Sequence, residues 1–235
     1  MPSKNHMTFN RIHRFMAKFN KIDTINLIRT TGIVPVFYNA DVEITKKVVK
    51  ACYDGGIRAF EFTNRGDGAH KVFESVLPFV RSECPEMAFG AGTILDAPTA
   101  AMYIQMGADF LVSPCMAEDV AALAGRRGVP YSPGCGTVTE IVHAMEIGCD
   151  LVKIFPAGTV GGPAFVKNVL APLPWAMIMA TGAVEPAEEN LRAWAASGVT
   201  AVGMGSKLFP KEMIASGNWA AISDLCAKSL AWFRK

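Results

Sequence analysis

The chain has 235 residues, 51% of them hydrophobic and 19% charged, with a formal net charge of +2. That balance suits a soluble protein with a sizeable core, and it gives no basic stripe for nucleic acid beyond the N-terminus. No apolar run is long enough to span a bilayer, so no membrane partner is expected. Six cysteines (52, 84, 115, 135, 149 and 226) form no CxxC pair and no zinc-ligand spacing. They read as small hydrophobes in a reducing, cytoplasmic setting.

Residues 1–22 carry Lys4, Arg11, Arg14, Lys18 and Lys21 and no acidic residue before Asp23. A targeting peptide is one reading, but serine is scarce; an extension leading into a capping helix fits better. Met16 offers a second start, so the first fifteen residues are not expected to matter to the fold. The remaining span, 23–235, is expected to be one domain.

From residue 33 onward, short runs of β-branched, apolar and small residues alternate with stretches of helical periodicity. Strands are predicted at 33–38, 59–64, 87–92, 109–114, 130–135, 151–156, 176–181 and 201–206. Their starts lie 21 to 28 residues apart, about one strand, one helix and two short loops. Eight such units without a linker predict a single (β/α)8 TIM barrel behind an N-terminal helical extension; an open doubly wound sheet is the runner-up.

The units share a register. Gly56, Gly107, Gly148 and Gly198 each end a predicted helix just before an even-numbered strand, where a left-handed C-cap is expected. Five residues beyond these glycines stand Glu61, Val112, Lys153 and Gly203. Alternate strands of such a barrel supply the four side chains of each interior layer. Glu61 and Lys153 should therefore face each other from the second and sixth strands. Val112 and Gly203 leave room between them for a small molecule.

A lysine within Leu151-Val-Lys-Ile-Phe-Pro156 is costly to bury unless it is paired or used. Apolar neighbours Val152, Ile154 and Phe155 would favour the neutral amine that attacks a ketone. The competing reading is a Lys153–Glu61 ion pair that merely fills the barrel. Glu61, Thr63 and Arg65 alternate on the second strand and should point inward together, Glu61 deepest and Arg65 at the rim. The carboxylate suits acid/base work and the guanidinium suits capture of a substrate carboxylate, with a rim salt bridge as the alternative for Arg65.

Thr181-Gly182-Ala183 and Gly203-Met-Gly-Ser206 follow the seventh and eighth strands, where backbone amides can cradle an anion; Gly161-Gly162 could add to them. Gly90-Ala-Gly-Thr93 would leave space above the core. Cys115, Cys135 and Met204 read as packing residues, and His70 and His143 as helix surface. No metal-ligand constellation is visible.

With these residues in place, the chain resembles the class I aldolases acting on 2-keto-3-deoxy-6-phosphogluconate (KDPG) and 4-hydroxy-2-oxoglutarate (KHG). The resemblance runs over roughly residues 24–210 and rests on Val34-Pro-Val36, Glu61-Phe-Thr-Asn-Arg65, Gly90-Ala-Gly-Thr93, Ser113-Pro114 and Pro133-Gly134. It continues through Lys153-Ile-Phe-Pro-Ala157, Thr181-Gly182 and Gly203-Met-Gly-Ser206. It implies that Lys153 forms an imine with the ketone of a 2-keto acid and that Glu61 is the general acid/base. It further implies that Arg65 and Thr93 bind the carboxylate and that Pro114 and Phe155 shape the pocket. Thr181, Gly182 and Ser206 would hold the far end of the substrate. A homotrimer working without metal or cofactor is implied as well. Ala183 departs from the family's usual second glycine, and its methyl could crowd a phosphate. Cys135-Gly-Thr137 also stands where Ile-Ser-Thr is common. A phosphosugar epimerase or isomerase on a related barrel, or a silent barrel that binds a sugar acid, are the rival functions.

Overall fold

The computed structural model describes residues 17–234; most of the N-terminal extension, residues 1–16, lies outside them. The strands are β1 (Ile33–Phe37), β2 (Ala59–Thr63), β3 (Ala88–Gly92), β4 (Leu111–Val112), β5 (Tyr131–Ser132), β6 (Gly134–Cys135), β7 (Leu151–Ile154), β8 (Met177–Thr181) and β9 (Ala201–Met204). All pair in parallel, in the order β5-β4-β3-β2-β1-β9-β8-β7-β6. The two ends of that order, β5 and β6, are separated by Pro133 alone. They are one barrel strand, interrupted where proline has no N–H for the ladder. The Pro133 carbonyl still accepts from the Lys153 N–H at 2.9 Å and closes the seam. The fold is the expected eight-stranded α/β barrel.

The strands are shorter than predicted where proline intervenes. The fourth keeps only Leu111–Val112, because Pro114 stops it. The sixth stops at Ile154, before Pro156, and the eighth at Met204, before a 3-10 turn over Ser206–Leu208. Gly56, Gly107, Gly148 and Gly198 have φ between 85° and 104°, the left-handed conformation that the repeat demanded.

Each strand divides its side chains between two apolar layers. Phe60, Phe62, Phe89, Val152, Ile154 and Ile178 point outward and pack under the helices. Val34, Ala59, Ala88, Phe110, Val112, Leu151, Met179 and Ala201 point inward and fill the lower half of the barrel. The helix Lys21–Thr31 adds Ile28 to this inner cluster, with Leu27 and Phe19 packed against it, and so covers the N-terminal end. The barrel is thus plugged below, and any ligand must enter from the C-terminal ends of the strands.

Asp109 ties that lower end together. Its carboxylate, fully buried, accepts from Lys18 N, Phe19 N and Phe89 N and pairs with both terminal nitrogens of Arg81. Removing it would leave the buried Phe89 N–H without a partner and the partly buried Arg81 guanidinium with only the Gly107 carbonyl among the described residues. Asp109→Ala is expected to lower stability by about 3–5 kcal/mol in urea denaturation; a loss under 1 kcal/mol would show the network to be incidental.

Candidate active site

β2 and β7 lie four strand steps apart by either route round the barrel, yet their side chains meet. Lys153 Nζ is 3.9 Å from Glu61 Oε1, and the two side chains are 6% and 1% exposed. This is contact across the interior, as the glycine register predicted. It is an ion-pair distance but too long for a direct hydrogen bond, and Glu61 Oε2 has no partner at all.

The neighbouring wall makes room for the carboxylate. Gly92 on β3 is in register with Thr63, and a Cβ there would lie 1.9 Å from Glu61 Oε1. The Glu61 side chain therefore lies across the bare backbone of Gly92. Burial penalises its charged form and raises its pKa above the ordinary carboxylate range, against the opposing fields of Lys153 and Arg65.

Lys153 is framed differently from what its sequence neighbours suggested. Val152 and Ile154 belong to the outer layer and face away from the amine. What surrounds Nζ is the barrel interior: Leu151 one rung below, Glu61 opposite, and the Phe155 ring, whose centroid is 5.1 Å away. Phe155 is 36% exposed and forms part of the mouth.

The remaining predicted residues all fall at this C-terminal end. Arg65 lies two residues beyond β2, exposed, with no ion-pair partner among the described residues; it lines an open cavity of ≈ 420 Å³ with Asp67, His70 and Thr99. The rim salt bridge weighed for it is absent. Thr93 follows β3 in left-handed conformation, with φ of 59°. Pro114 follows β4, its carbonyl packed where any side chain on Gly134 would go. Thr181 is the last residue of β8 and is buried, its Oγ1 lying over Gly203 without a hydrogen-bond partner. It is a wall residue of the interior, whereas Gly182 and Ser206 belong to the loops above.

Ala183 has φ of 60°, in the region that L-residues avoid, and its methyl is packed against Gly158 of the loop after β7. That loop continues to Gly161, which precedes the helix Gly162–Leu170. Cys135 and Met204 are buried in the outer layer as expected, while Cys115 is exposed. His143, on the helix Val138–Glu146, is exposed and pairs with Glu118 at 2.9 Å. Among the described residues, no group of three His, Cys, Asp or Glu side chains could hold a metal ion. No helix there is long and apolar enough to cross a membrane. The residue that sequence reasoning passed over is Thr63; it was placed on the inward face but given no role, and its hydroxyl is buried without a partner.

Comparison with known proteins bears directly on this constellation. Residues 24–225 match the family model for KDPG and KHG aldolase. The 2-dehydro-3-deoxy-phosphogluconate aldolase of Pseudomonas aeruginosa is 33% identical over 224 residues, covering 94% of this chain and 97% of its own. The KHG/KDPG aldolase of Escherichia coli is 31% identical over 205 residues, covering 86% and 93%. A crystal structure of the KDPG aldolase from Legionella pneumophila, with pyruvate captured as a covalent carbinolamine intermediate, superposes with a TM-score of 0.78. It is 25% identical and covers 87% of this chain and 96% of its own. The chain belongs to the KDPG and KHG aldolase family.

Proposed function

We propose that this protein is a class I aldolase that cleaves KDPG, KHG or both, releasing pyruvate with glyceraldehyde 3-phosphate or glyoxylate. The observation that carries the proposal is the buried Lys153–Glu61 pair, held 3.9 Å apart at the open end of a plugged barrel. A pair that only filled space would be replaced at no loss by apolar residues.

In this reading Lys153 Nζ attacks the C2 ketone and Glu61 supplies and removes the protons needed to lose water and form the imine. The protonated imine accepts the electron pair released when the C3–C4 bond breaks, while Glu61 takes the proton of the C4 hydroxyl. Arg65 and Thr93, at the rim, bind the carboxylate; Phe155 and Pro114 bound the pocket. Thr181, Gly182 and Ser206 bind the distal part of the substrate.

Assembly as a homotrimer in the cytoplasm completes the proposal. The exposed apolar side chains of Leu95 and Val138 supply surface for association, and six free cysteines suit a reducing compartment. Sedimentation of the intact protein should give three times the chain mass; a monomer would overturn this part.

Four measurements test the chemistry. Borohydride added with pyruvate should fix an adduct on Lys153, identified by peptide mass spectrometry, and Lys153→Ala should abolish turnover; an active alanine variant sinks the mechanism. Gly92→Ala should keep the fold by circular dichroism but lower kcat about 100-fold, because the new methyl displaces the Glu61 carboxylate. Because burial favours the acid form of Glu61, kcat should rise with pH through a limb above the ordinary glutamate range. Removing the opposing cation in Arg65→Met should move that limb further up; a shift down would contradict the assignment. The Ala183 methyl narrows the loop that would take a phosphate. In Ala183→Gly, the ratio of kcat/KM for the phosphorylated over the unphosphorylated substrate should therefore rise by about tenfold.

A further inference from the structure

Five buried side-chain polar atoms lack a hydrogen-bond partner among the described residues: Glu61 Oε2, Thr63 Oγ1, Thr181 Oγ1, Trp194 Nε1 and Ser229 Oγ. Trp194 and Ser229 belong to outer helices. The other three are on inward faces of β2 and β8, around Lys153. Leaving a hydroxyl unpartnered in a core costs about 1–3 kcal/mol, and such groups concentrate where a ligand supplies the missing bond.

Thr63 is the one of the three that the aldolase reading leaves unused. It is 1% exposed and stands one inward rung above Glu61 on the same strand, toward the mouth. Its register partner is Gly92, the residue whose bare backbone the Glu61 carboxylate overlies. The hydroxyl and the carboxylate are thus brought to one patch of the β2–β3 wall. They do not bond each other, and each keeps a hydrogen-bonding position without a partner among the described residues.

We infer that Thr63 is a catalytic residue: with the Glu61 carboxyl group, its hydroxyl holds the oxygen that leaves C2 when the Lys153 imine forms. The inference rests on the aldolase reading of Lys153. Attack of the unprotonated Nζ on the ketone forms the N–C2 bond, and the proton that the nitrogen then loses passes to the former carbonyl oxygen, giving the carbinolamine hydroxyl. Protonated Glu61 then gives its proton to that hydroxyl. The C2–O bond breaks, water departs, the nitrogen lone pair forms the C=N bond, and Glu61 is left as the carboxylate. The oxygen in question is two bonds from Nζ, and Glu61 Oε1 lies 3.9 Å from Nζ, a spacing that admits the oxygen between them. Thr63 donates to that oxygen while it is bonded to carbon and accepts from it once it is water. Threonine does both, since a hydroxyl carries one donor and two acceptor positions.

The test is rapid-quench borohydride trapping with pyruvate, following the rate at which the Lys153 adduct appears and its final extent. Thr63→Val should slow imine formation by about 10- to 100-fold, with the final extent of trapping and the KM for substrate nearly unchanged. Thr63→Ser, which keeps the hydroxyl, should stay within a few-fold of the native rate. Thr63→Ala, run alongside, removes the hydroxyl without valine's second methyl and should match Thr63→Val. The melting temperature of Thr63→Val should not fall, because an unpartnered hydroxyl is being removed from a core. Native trapping rates in both hydroxyl-free variants would overturn the inference, as would a serine variant as slow as valine. Failure of the native enzyme to trap pyruvate at all would instead overturn the Lys153 reading.

Discussion

Two opposite charges buried across a barrel are the constraint on which this structure depends. Neither Glu61 nor Lys153 could be held in an apolar interior alone, and at 3.9 Å they are paired without being locked together. That spacing requires walls that do not drift. The inward face is therefore packed with Leu151, Met179, Val112 and Phe110, while the inward positions that Glu61 and Thr181 lie over, Gly92 and Gly203, are glycine. A side chain on Gly92 would collide with Glu61, and one on Gly203 would meet Thr181 Oγ1 at 2.2 Å. Gly92 and Gly203 carry no side chain because Glu61 and Thr181 occupy that space, and the lower half of the barrel is filled by apolar side chains.

Much of this was legible in the chain because its determinants are local. Glycines that end helices in left-handed conformation must stand at fixed offsets from the strands they precede. Counting from them placed Glu61 and Lys153 on one level before any contact was known. The strand breaks were less legible. Pro133 looked like the interior of a strand, since the residues on both sides of it keep the pairing; only the closed sheet shows that one carbonyl bridges the gap. The surroundings of Lys153 were misread for a related reason. Val152 and Ile154 adjoin it in sequence, but alternation along β7 sends them to the opposite face. The Glu61 carboxylate that faces the buried amine is distant in sequence.

Ala183 and Thr63 show two further limits. Ala183 stood out in the chain as a departure from a glycine pattern, but its left-handed backbone and its packing on Gly158 are tertiary facts. Thr63 did not stand out, because a threonine in a strand is ordinary. Its interest lies in what it fails to do: it is buried and makes no hydrogen bond. Satisfaction of polar groups is a property of three-dimensional neighbours, so no spacing argument could have revealed it.

The strand that carries the nucleophile also completes the barrel. Lys153 is in register with Gly134 on one side and Met179 on the other, and its own N–H reaches across the seam to Pro133. Losing the β6–β7 pairing that closes the barrel would therefore not begin at a distance from the site; it would release the backbone of Lys153 itself. The same geometry explains why the acid/base residue is best placed on β2. Diametrically opposite β7, Glu61 is held by continuous five-residue pairing to β3, the most fully paired neighbour in the sheet. The constellation combines a nucleophile on the closing strand with a carboxylate on the most anchored one, and the two meet across the barrel interior at 3.9 Å.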